Sequence, residues 1–142
     1  MLGQRYHLIT REDRLEAVAK DIVHHFLNRG YQGKAMVVSI DKLTTLRMYE
    51  KVRAEWEAEK ARVLKALDGM AGGQPDFATL HARLVNLQET DMAVVVSPGQ
   101  NEISEMKEKG FEDLAEHFKN PADSFRLIFV CAMSTSRCAS TR

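Results

Sequence analysis

GKAMVVSIDKLTTLRMYEKV, from Gly33 to Val52, is the stretch that decides how the rest of the chain is read. It opens with an apolar run, Ala35 to Ile40, passes through Ser39, Asp41 and Lys42, and continues into an amphipathic pattern. The order is buried strand, polar loop, helix. A short run without polar alternation suits a parallel strand covered on both faces. Small polar residues and a lysine at its carboxyl end fit the crevice where open α/β sheets bind ligands. The same residues also fit an ordinary strand-to-helix turn, with Asp41 or Thr44 capping the helix.

Upstream, Thr10 and Asp13 have capping-box spacing, and Leu15, Val18, Ala19, Ile22, Val23 and Phe26 recur at three- and four-residue intervals. A helix from about Glu12 to Arg29 is predicted after a short lead, with Gly30 as its left-handed cap. His24 and His25 are adjacent, so on a helix they point about 100° apart and do not share a metal.

Downstream, a longer helix is predicted from Thr44 to Leu67, its seam running through Leu46, Tyr49, Val52, Trp56, Val63 and Leu67. Lys60 interrupts that seam, so the second half is expected to project from the body. The mixed charges from Glu50 to Lys65 read as a solvated outer face, and Tyr49 and Trp56 read as core anchors in preference to base-stacking platforms. Asp68 to Pro75, DGMAGGQP, is a loop, and its glycines lack the GxxxxGK[ST] pattern of a phosphate cradle. Phe77, Leu80, Leu84 and Leu87 then mark a helix from Asp76 or Phe77 to about Gln88. Met92 to Ser97 repeats the buried-strand signature and ends at Pro98-Gly99. Asn101 to Asn120 reads as two short helical pieces broken at Gly110, and Phe125 to Met133, FRLIFVCAM, is a third strand.

Helices alternating with three apolar strands give an α/β class. We expect three layers around a mainly parallel sheet, with residues 1–133 as one domain and 134–142 as a disordered polar tail. A sheet that ends with the third strand has an exposed edge, a surface suited to homodimerisation or to docking a partner.

Composition limits the functions. Twenty basic and twenty acidic residues cancel over 142 residues, so no global basic field marks a nucleic-acid binder. The apolar runs are too short to span a bilayer and MLGQRYHLIT lacks the apolar core of a secretory signal, which reads as a cytoplasmic chain. Cys131 and Cys138 have neither metal-ligand spacing nor a disulfide framework around them. No Ser/His/Asp, Cys/His or paired-carboxylate constellation stands out, which disfavours an independent small-molecule enzyme.

Three pieces of sequence carry a family resemblance. REDRLEAVAKDIVHHFLNRGYQGKAMVVSIDKLTTLRMYEKV, DMAVVVS and FKNPADSFRLIFVCAM together resemble the second RecA-like motor domain of the restriction (R) subunit of type I restriction endonucleases, members of helicase superfamily 2. The resemblance covers about Thr10 to Met133, and GKAMVVSIDK with the following RMY is its most specific part, beside FRLIFVCAM. It implies part of an ATP-dependent DNA translocase, with duplex DNA, the remaining R-subunit domains and the methylation and specificity subunits as partners. The loop after the GKAMVVSIDK strand corresponds to helicase motif IV, which makes Ser39, Asp41 and Lys42 candidate DNA-backbone contacts.

The departures set expectations too. Family members continue past CAM into motif V and an arginine-bearing motif VI, whereas this sequence reads STSRCASTR. The Walker A lysine, the Walker B box and the nuclease residues are not present either. ATP hydrolysis in such motors needs a phosphate loop and magnesium ligands from one lobe and an arginine from the other. The resemblance therefore implies ATP and Mg2+ for a complete subunit, no cofactor for this chain alone, and no ATPase or nuclease activity in isolation. The alternative is a free-standing α/β binding or dimerisation module.

Overall fold

A computed structural model of the chain describes residues 2–30, 33–70, 75–95 and 127–131. In order these form α1 (Leu2–Ile9), α2 (Glu12–Asn28), β1 (Ala35–Ser39), α3 (Lys42–Asp68), α4 (Pro75–Glu89), β2 (Met92–Val95) and β3 (Leu127–Cys131). The class is α/β, with a three-stranded parallel sheet in the order β1-β3-β2. The expected helical pieces at 101–120, the Pro98-Gly99 turn, the outer ends of the third strand and the 134–142 tail lie outside the described residues.

The chain divides into two compact units, each described by itself. Met1–Gln32 with Arg47–Thr90 makes a helical unit, and Gly33–Leu46 with Asp91–Arg142 makes a sheet unit.

The helical unit follows from its periodicity. Leu15, Ala19, Val23 and Phe26 of α2 are buried, as are Met48, Tyr49, Val52, Trp56 and Val63 of α3 and Leu84 and Leu87 of α4. Trp56 is the hub. Its ring meets Phe26 edge-on at 5.6 Å, and its indole N–H donates to the Leu87 carbonyl at 3.0 Å, which satisfies the one polar atom that burial of a tryptophan strands. The helix α2 stops where Gly30 takes φ +75°, and a Cβ there meets nothing within 4 Å, so backbone conformation and not packing selects glycine. Arg29, just before it, lays its guanidinium over the Phe26 ring at 3.9 Å. Pro75 occupies the first position of α4, where its missing N–H leaves no helical bond unmade.

Three expectations are corrected in this unit. The short lead is itself a helix, Leu2–Ile9; Thr10 closes its end by donating both its N–H (3.0 Å) and its hydroxyl (2.9 Å) to the Tyr6 carbonyl. That use of Thr10 removes the capping box. The residue ahead of α2 is Arg11, which caps with no side-chain hydrogen bond and instead binds Asp13 at 2.6 and 3.0 Å.

The second half of α3 does not lose its seam at Lys60, because Val63 is 4% exposed. Nor is the charged face of α3 simply solvated. The Glu59 side chain is 15% exposed and holds Arg83 of α4, whose Nη2 and Nε lie 2.7 and 3.1 Å from its Oε1, while Arg83 also reaches the Asn28 side chain at 2.9 Å. Lys51, 17% exposed at its side chain, pairs with Glu12 and Glu16 of α2. Lys51 and Glu59 of α3 find partners on neighbouring helices, which spacing along one helix does not reveal.

The sheet unit is centred on β3. Leu127 and Phe129 are fully buried, and each such side chain withdrawn from water contributes on the order of 2 kcal/mol. The register pairs Ala35 with Leu127 and runs to Ser39 with Cys131, and on the other side Met92 with Leu127 to Val95 with Val130. The third strand thus lies beside the first, in parallel. One expectation fails: among the described strands β1 lies at the edge of the sheet, and it is not covered on both faces. Met36 and Val38 are 63% and 59% exposed, while Ser39 on the opposite face is buried.

Candidate nucleic-acid interface

The carboxyl ends of β1 and β3 lie side by side, since Ser39 is in register with Cys131, and α3 starts three residues after Ser39. Its first turn is built by Asp41. One carboxylate oxygen accepts the Thr44 backbone N–H at 2.8 Å, the other accepts the Thr44 hydroxyl at 2.8 Å, and the Asp41 carbonyl accepts the Thr45 N–H at 3.0 Å. This is an N-cap closed twice, once on the backbone and once on the side chain. Thr45 is buried, and its hydroxyl donates to the Asp41 carbonyl at 2.8 Å, with the Val130 carbonyl of β3 lying 3.5 Å away. The first turn of α3 is therefore fixed from below, against the strand that neighbours β1.

The three sequence-derived site residues come together in this loop but differ in what they offer. Ser39 is 8% exposed at the strand end. Asp41 is half-buried with both carboxylate oxygens engaged in the cap. Lys42 is half-buried at the first helical position, in a first turn without acidic residues. A cation there opposes the positive end of the helix dipole, a cost of a few tenths of a kcal/mol, and the adjacent Asp41 carboxylate offsets it. The loop thus holds a lysine beside a helix N-terminus where the Thr44 N–H already has the Asp41 carboxylate as its acceptor, so an ammonium, and not that N–H, is what the turn offers to an anion.

Thr45 is the residue that sequence reasoning passed over. Asp-Lys-Leu-Thr-Thr contains the signal: the first threonine falls three residues after the aspartate, where it completes the cap, and the second falls one residue later, facing inward.

No protein-family profile matches the chain, and no solved structure matches it. Among curated proteins, it is 27% identical over 128 residues to the "Putative type I restriction enzyme MjaIXP endonuclease subunit" of Methanocaldococcus jannaschii. The match spans 89% of this chain and 10% of that protein, so the chain corresponds to about a tenth of the relative's length. No described helix is long and apolar enough to cross a membrane. The similarity links the chain distantly to a type I restriction enzyme subunit.

Proposed function

We propose that this chain is a segment of the DNA-translocating motor of a type I restriction endonuclease R subunit, part of a RecA-like superfamily 2 helicase lobe, and that its Asp41–Lys42 loop contacts the DNA backbone. The observation that carries the reading is the archaeal restriction-subunit relative, whose similarity extends over 89% of the chain. The loop geometry supports it. Parallel strands end together beside the start of a 27-residue helix, with Lys42 at the rim. In this reading Lys42 makes the phosphate contact, Asp41 holds the helix turn that presents it, and Ser39 closes the strand beneath.

The chain has no Walker A sequence, so in this reading it binds DNA without hydrolysing ATP, and ATP, Mg2+, the remaining motor lobe and the methylation and specificity subunits belong to the complete enzyme. With a net charge of zero, binding is weak and indifferent to sequence, with Kd in the range of roughly 10⁻⁴ to 10⁻⁶ M at physiological salt and weaker as salt rises. Titration of a labelled duplex against wild type and Lys42→Ala at two salt concentrations tests the assignment. Weaker binding by the variant and a shallower salt dependence are expected. Equal binding by both proteins removes Lys42 from the interface, and DNA-stimulated ATP turnover by the pure chain overturns the division of labour.

A further inference from the structure

The sheet is covered unevenly, and the unevenness has a direction. On one face the cross-strand row Met36, Ile128, Ala93 passes from 63% exposed through half-buried to 1% exposed. The next row, Val38, Val130, Val95, falls from 59% exposed to half-buried. Cover fades toward β1, at the sheet edge. The opposite edge differs, because β2 keeps Ala93 and Val94 buried and so has residues covered on both of its faces. Among the described residues no strand pairs with the outer side of β1; an apolar edge strand is a pairing template, and proteins usually blunt one with a central charge, a proline or a bulge. Between Ala35 and Ile40 there is neither charge nor proline.

The edge is also chemically self-complementary. Around Val37, small residues stand at equal distances in Ala35 and Ser39, and apolar ones in Met36 and Val38. We propose that β1 is a self-association edge, at which two copies of the chain pair antiparallel about Val37. In that register each Met36 lies opposite Val38 of the second copy on the exposed face, and Ala35 lies opposite Ser39 on the other. Each Lys34 falls opposite Ile40 of the second copy. The two lysines stand at opposite ends of the paired strands, about 20 Å apart at some 3.4 Å per residue, so like charges do not meet. A two-fold interface must match itself in this way, and a chain of zero net charge adds no long-range repulsion between copies.

This inference rests on β1 alone and is independent of the DNA reading. Sedimentation velocity of the full chain over a concentration series tests it with two variants at exposed positions, Val38→Lys and Met36→Glu. Wild type is expected to dimerise, and each variant alone to dimerise at least about tenfold more weakly, while Leu64→Lys, on the exposed surface of α3, leaves the dimer unchanged. Mixing Val38→Lys with Met36→Glu sets a lysine opposite a glutamate in the proposed register and is expected to restore association. A wild type that stays monomeric throughout, or a dimer that Val38→Lys leaves intact, overturns the proposal. A mixture that associates no better than the separate variants overturns the register.

Discussion

Asp41 grips Thr44 with both carboxylate oxygens, one on the backbone N–H and one on the hydroxyl, each at 2.8 Å. The pairing separates two residues that are adjacent in sequence. Asp41 caps the turn, and Lys42 is the first residue of the helix. Asp41→Ala is expected to cost about 1 kcal/mol of stability through the lost cap, with Asp41→Asn costing less because the amide oxygen still accepts the N–H. Lys42→Ala is expected to cost less than Asp41→Ala, since it removes no cap and takes a cation from the positive end of the dipole. Chemical denaturation of the three variants checks the ordering, and a larger loss for Lys42→Ala than for Asp41→Ala contradicts it.

Trp56 joins three helices through one side chain, with Phe26 against its ring and the Leu87 carbonyl on its N–H. Trp56→Phe keeps an aromatic ring but leaves that carbonyl without its indole donor, so a loss of about 1–3 kcal/mol is expected. Trp56→Ala adds a cavity and is expected to cost about 3–5 kcal/mol. Urea midpoints at unchanged slope measure both. A Trp56→Phe variant as stable as wild type shows that the hydrogen bond contributes nothing net.

What sequence reading captured and what it missed follow from the range of the forces involved. Leu15 to Phe26, Leu46 to Trp56 and Phe77 to Leu87 announce helices because burial of one face is written at intervals of three and four residues. Gly30 and Pro75 announce boundaries because their constraint is local. The strand-to-helix transition at Ser39, Asp41 and Lys42 is legible in the sequence, and so is the capping of α3 by Asp41. Met36 and Val38 misled because a strand's own residues do not record how many neighbours it has; an edge and a centre can carry the same apolar run. The Glu59 to Arg83 pairing, 24 residues apart, was out of reach for the same reason. Thr10 was misread because a threonine between two helices serves the end of one as readily as the start of the next.

Glu59 and Arg83 are expected to behave as a coupled pair. Glu59 spends Oε1 on Arg83 and Oε2 on Arg62 at 2.5 Å, and its side chain is 15% exposed. Removing Glu59 strands a partly buried guanidinium, whereas removing both partners strands nothing. A double-mutant cycle with Glu59→Gln and Arg83→Met is expected to give a coupling energy of about 1–2 kcal/mol. Arg62 is 65% exposed at its side chain, and Arg62→Ala is expected to change stability by less than about 0.5 kcal/mol. A coupling energy near zero reduces the buried pair to the standing of a surface contact.

Lys51 and Glu50 both make the fold less stable as pH rises, in different pH ranges and for different physical causes. The hydrogen bond from Lys51 to Glu12 raises the lysine's pKa above its ordinary value, against the opposing effect of desolvation and with help from the charges of Glu12 and Glu16. A raised lysine stabilises the folded state fully below the unfolded-state pKa, and the contribution is lost as pH rises through the folded one. Lys51→Met is therefore expected to be less stable than wild type at neutral pH, with the gap closing in strong alkali. Glu50 is also raised, chiefly because its carboxyl is partly desolvated; Lys51 opposes the shift and Glu12 reinforces it. Here the folded state holds the proton more tightly, so the protonated form is favoured and stability falls as pH climbs from the ordinary carboxylate range through the folded pKa. Glu50→Gln removes that loss. It is expected to melt above wild type at pH 7 and level with it under acid conditions where both side chains are neutral. Thermal melts of the two variants and wild type across the pH range decide both signs, and a Glu50→Gln protein that melts below wild type at pH 7 shows that its attraction to Lys51 outweighs desolvation.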